Sequence, residues 1–99
     1  VSPLVDHLRS HGDRPAVLTA DQQLNYRELA EMVESFAHTL GRRRRLVLLE
    51  TRNDVATVVR HLGALAGRHV VLPVPAGRDH TNLITTYRPD VVIDAAGVH

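Results

Sequence analysis

Apolar residues fall along this chain in two rhythms. At Tyr26, Leu29, Ala30, Val33, Phe36, Ala37 and Leu40 they recur every three or four positions, while Arg27, Glu28, Glu31, Glu34 and Ser35 lie elsewhere. That period places the apolar set on one helical face. Asn25 and Glu28 form a capping-box pattern ahead of it, so the helix is predicted to begin at Tyr26 and to stop at Gly41. Val55, Val58, Val59, Leu62, Leu65 and Ala66 repeat the helical spacing after Asn53, read as a cap, and up to Gly67, read as a left-handed stop. The second rhythm is unbroken: Leu46–Leu49, Val70–Leu72 and Val91–Ile93 are short apolar runs, as expected of strands covered on both faces. Asp79 caps a short helix carrying Leu83, Ile84 and Tyr87 and closed by Pro89.

Before Tyr26 the pattern is weaker. Ser2 and Pro3 open a short helix running to His11, with Leu4, Leu8 and His11 along one face and Gly12 to end the turn. Ala16–Thr19 reads as extended, and Ala20–Gln23 as a polar connection into Leu24, giving a small hairpin. The fold class is therefore α/β: a three-layer-type parallel sheet of βαβαβ topology from Leu46 to Asp94, preceded by a short helix, a small hairpin and an amphipathic helix. Right-handed crossovers gather the loops 51–53, 73–77 and 94–97 at the carboxyl ends of the strands, where ligands approach such Rossmann-like sheets. None of these loops has the glycine spacing of a dinucleotide fingerprint or of a phosphate loop with its lysine.

Composition narrows the classes further. With 99 residues, 43% hydrophobic and 23% charged, the chain is one small globular unit rather than a disordered tail. It has no cysteine, which excludes disulfides, thiolate metal sites and a cysteine nucleophile, and fits the cytoplasm. All twelve basic residues are arginine, and the formal net charge is +1, so bulk charge names no partner. No stretch approaches the roughly 18 apolar residues of a membrane span.

Candidate chemistry is thin at every position. His7 and His11, four apart beside Asp6, suit a shared metal by spacing, but a tight site needs a third ligand. The Arg42–Arg45 run suits phosphate, yet it lacks interleaved aromatics for nucleic-acid bases and reads as a solvated turn pairing with nearby carboxylates. Arg52 with Asn53 at a helix start suits an anion, although ordinary capping accounts for the same residues. Ser2, Ser10 and Ser35 lie on helices or at a cap, away from any nucleophile elbow. No catalytic, cofactor-binding or metal-ligating residue is assigned in this chain.

Two stretches together resemble the adenylate-forming (AMP-binding) superfamily: acyl-CoA synthetases, fatty acyl-AMP ligases and the adenylation domains of nonribosomal peptide synthetases. Leu24-Asn25-Tyr26-Arg27-Glu28-Leu29 is similar to the family's first core motif, with Asn25 in place of Thr or Ser. Leu65-Ala66-Gly67-Arg68-His69-Val70-Val71-Leu72-Pro73 is similar to the second, an Ala-Gly pair leading into a strand that ends in Pro, with Arg68 and His69 less typical. The polar stretch Gly12–Ala16 and the strand ending Arg88–Asp94 fall in matching order, so the resemblance runs from about Leu4 to Asp94.

The resemblance implies that residues 1–99 are a single, incomplete N-terminal subdomain of an ATP-dependent carboxylate-activating ligase of the acyl-CoA synthetase type. It implies ATP and magnesium for the full-length enzyme and none held by this segment. The phosphate loop, the nucleotide contacts and the lysine of a mobile C-terminal domain would lie downstream, leaving this segment inactive alone. The implied partner is the remainder of the parent enzyme, with self-association through an exposed sheet edge or face as a second possibility; nucleic acid is not expected. The rival reading is a freestanding, non-catalytic α/β module that binds a partner or an anion.

Overall fold

In the computed structural model of the chain, residues 3–18 and 23–99 are described. The Ser2 cap and most of the connection predicted at 20–23 lie outside them. Chain order is α1 (Pro3–Ser10), β1 (Pro15–Leu18), β2 (Gln23–Asn25), α2 (Tyr26–Leu40), β3 (Leu46–Thr51), α3 (Val55–Ala66), β4 (Val70–Pro75), α4 (Thr81–Tyr87), β5 (Val91–Asp94) and β6 (Gly97–Val98). β1 and β2 form the expected antiparallel hairpin. The other strands make one sheet in the order β4-β3-β5-β6, with β3 parallel to both β4 and β5.

The chain leaves β3 toward β4 in one direction and returns past β3 to β5 in the other. α3 packs on β3 and β4, and the right-handed rule for crossovers of opposite travel assigns α4 to the other face, which is the three-layer expectation. The sheet is not wholly parallel, however. Beyond Asp94 the chain makes a tight turn, with Gly97 at φ 122°, and β6 returns antiparallel along β5, pairing Ile93 with Val98. Asp94 Oδ1 accepts from Ala96 N–H at 2.9 Å and steadies that turn.

The helices pack because their apolar stripes meet. Val5, Leu8, Leu29, Ala30, Val33, Val55 and Val59 join α1, α2 and α3 over Leu24 of the hairpin. Leu40, Val47, Leu49, Ala64, Val91 and Ile93 join α2 and α3 to one sheet face. Each buried Val, Leu or Ile among these contributes about 1.5–3 kcal/mol. Phe36 touches both clusters, and α2 approaches α3 closely there: a Cβ at Gly63 would lie 2.8 Å from the Phe36 ring. Leu48 points to the other face, since side chains alternate along a strand, and it is 1% exposed.

Candidate functional site

The two family-like motifs are both architecture. In the first, Glu28 N–H donates to Asn25 Oδ1 at 2.8 Å and Asn25 N–H donates to Glu28 Oε1 at 3.1 Å, a complete capping box. Arg27 binds Asp13 at 2.9 Å, and the Tyr26 and Arg27 amides donate to Arg14 O and Gly12 O, tying the helix start to the turn after α1. In the second motif the stop differs from the one expected. Gly67 has φ −80° and the left-handed residue is Arg68, at φ 63°. His69 N–H donates to Ala64 O and Arg68 N–H to Leu65 O, the reciprocal pair of a Schellman turn. Gly67 is needed for space rather than for φ, because a Cβ there would lie 2.9 Å from the His69 ring. That ring is buried, and its Nδ1 accepts from the Arg45 amide at 3.1 Å.

The carboxyl ends of the strands gather a group of polar side chains. Glu50 accepts from Arg52 at Oε1, and its Oε2 lies 3.9 Å from His80 Nε2, a buried atom with no hydrogen-bond partner. Thr51 Oγ1 donates to Val74 O at 3.0 Å and so ties β3 to β4. The cap of α3 is Asp54, one residue beyond the expected Asn53; it accepts from Thr57 N–H at 2.8 Å. That bond first, and the Thr57 hydroxyl second, hold the Asp54 carboxyl below its ordinary range. Arg60 donates to Asp94 O at 3.3 Å. The Asp94 carboxyl is likewise held low, chiefly by His99 at 2.9 Å.

Chemically this group is a set of charges already matched within the chain. Arg52 is taken by Glu50 rather than left for an anion. Among the described residues no group of three or more His, Asp or Glu is placed to hold a metal ion. His7 and His11 do meet, edge to face with ring centres 5.0 Å apart, but His11 also packs on Tyr26 at 4.8 Å. Glu34, on the polar side of α2, pairs with Arg9 at 3.1 Å. Arg42, Arg43 and Arg44 are exposed, and among the described residues none of Arg42–Arg45 forms the expected ion pair. The proximity of Glu50 and His80 had no signal in the sequence, because 30 residues separate them and only the return of β4 brings them together.

No protein-family model and no curated protein matches this chain. Solved structures do. It is similar to E. coli MenE bound to an m-phenylether-linked analogue of OSB-AMS, with a TM-score of 0.68 and 27% identity over 87% of this chain. Its fold is that of a segment of the adenylate-forming, AMP-binding superfamily. IdnL1 matches in fold over 96% of the chain, with a TM-score of 0.71 and 19% identity. The chain spans 21% of MenE and 26% of IdnL1. Its resemblance to adenylate-forming ligases is thus a resemblance to one part of them.

Proposed function

We propose that this chain is the N-terminal scaffold of an ATP-dependent carboxylate-activating ligase, acting in the cytoplasm on an acyl substrate in the manner of acyl-CoA synthetases. The observation that supports the reading best is the coincidence of both motif-like stretches with the elements they would serve, on a chain similar to MenE over 87% of its length. In this reading α2 and the β4-β3-β5 sheet brace one wall of the parent site. The remainder of the enzyme is their partner, and ATP and magnesium are handled there. The residues present do not fit those groups, since the chain has no lysine and the charges at the carboxyl ends of its strands are matched internally. Stabilising a transferring phosphoryl or adenylyl group requires converging cationic donors.

Pyrophosphate release tests this directly. With a panel of fatty and amino acids, ATP and magnesium, the 99-residue chain is expected to match a no-enzyme blank, while the same chain joined to the coding sequence that follows it in its gene turns over. Turnover by the 99 residues alone would overturn the scaffold reading. A stop codon directly after His99 would favour the freestanding module instead.

A further inference from the structure

We propose that the amino end of the sheet carries a docking groove for an acidic, apolar-anchored peptide segment of a partner protein. The groove, about 650 Å³, lies between the start of α1, the last turns of α2 and the end of α3. Its floor is apolar and small, formed by Pro3, Val5, Ala37 and Ala66, and its rim carries His38, Arg42 and Arg68. It opens where β3 and β4 begin, at the opposite end of the sheet from the Glu50–His80 pair.

Two observations converge on an anionic occupant. First, the fold gathers positive charge that the sequence spreads out. Arg45 N–H donates to His69 Nδ1 and Val70 N–H donates to Arg45 O, so the turn holding the arginine run is pinned to the turn holding Arg68. Second, this charge is available: Arg42 and Arg68 are exposed and form no ion pair among the described residues. Glu34, the carboxylate that lines the groove, is already engaged by Arg9 at 3.1 Å. Separately, Arg68 occupies the left-handed position of a Schellman turn, where glycine is the favoured residue. Local strain of this kind marks positions worth testing for function.

The floor and rim together select the class of ligand. Guanidinium groups fork onto carboxylates as they do onto phosphates, but a free phosphate has no use for an apolar floor. A single nucleic-acid strand is held on successive aromatic platforms, and no Phe, Tyr or Trp lines this groove. A peptide placing two leucines in the groove and carboxylates on its rim satisfies both features. This inference stands apart from the ligase reading and survives or fails without it.

The test is fluorescence anisotropy of the 99-residue chain with a labelled 12-residue peptide carrying two leucines four apart among glutamates. The same peptide with glutamine for glutamate is the control. The glutamate peptide is expected to bind and the glutamine peptide not, with binding weakened by raising NaCl from 50 to 500 mM. Arg42→Ser with Arg68→Gly is expected to weaken binding about tenfold. Because Arg68→Gly relieves the left-handed strain, urea unfolding of that variant should show unchanged or raised stability, which separates lost contact from lost fold. Ala37→Leu, filling the floor, should weaken binding of the same peptide. Absence of binding, equal binding by the double variant, or tighter binding of a single-stranded oligonucleotide or of phosphatidylserine vesicles than of the peptide would each overturn the proposal.

Discussion

On the face of the sheet that carries α2 and α3, Val47, Leu49 and Ile93 have no exposure at all, and the helices approach so closely at Gly63 that a Cβ there would crowd the Phe36 ring. On the opposite face Leu48 and Val74 are buried, but no residue of α4 is, and Val70 and Ile84 remain 45% and 39% exposed. Both faces are built from the same kinds of residue, so composition does not separate them. What differs is the length of the covering helix. α3 has 12 residues and α4 has 7, too few turns to present a continuous stripe. The stability of the chain should therefore reside in the layer made by α1, α2, α3 and β3.

The sharpest way to break this comparison is Ile93→Ala, which should lower the unfolding free energy by about 2–5 kcal/mol in urea denaturation. Gly63→Ala should follow, at about 1–3 kcal/mol, because the new methyl meets the Phe36 ring and, at 3.2 Å, the Val33 carbonyl. Adding Phe36→Leu should recover part of that loss; no recovery would place the conflict in the backbone instead. Asn25→Ala removes one arm of the capping box and should cost about 1 kcal/mol.

A smaller effect concerns acid. The Asp54 carboxyl is held low in the folded chain, so its bond to Thr57 adds stability above the ordinary aspartate range, and that stability is lost as pH falls through the folded value. Asp54→Asn should flatten the acid limb of a thermal-melt series between pH 7 and 3 and leave the neutral end little changed. The smallest effect is expected for Ile84→Ala in α4, within about 0.5 kcal/mol. A loss there comparable to that at Ile93 would show that the two faces bear equal weight.

The fold was legible where one local rule decided the outcome. The period of α2, its capping box, the hairpin and the parallel pairing of the three apolar runs all follow from spacing and cap chemistry. Misreadings occurred where neighbours in space decided. Asn53 and Asp54 are equally good caps by type, and the choice falls to Asp54 because its carboxylate reaches the Thr57 amide. Gly67 reads as a natural left-handed stop, but the helix runs one residue further than that, and the bonds from the Arg68 and His69 amides to Leu65 O and Ala64 O put the left-handed residue at Arg68. β6 has 2 residues, too short for any periodicity, and exists because β5 offers it a ladder. The candidate sites were least legible, since the Glu50–His80 contact and the meeting of Arg42 with Arg68 around one groove each need a crossover to bring them together.

The prolines of β4 have a consequence for how copies of this chain meet. Val70 N–H donates to Arg45 O and Ala76 N–H to Thr51 O, so even-numbered amides turn toward β3 and those at 71, 73 and 75 turn outward. Positions 73 and 75 are proline and carry no amide hydrogen. A second molecule arriving along that flank would find a single donor where a ladder needs several. Fibre growth by sheet extension is thus blocked on one side by covalent structure, a safeguard that neither pH nor salt can remove.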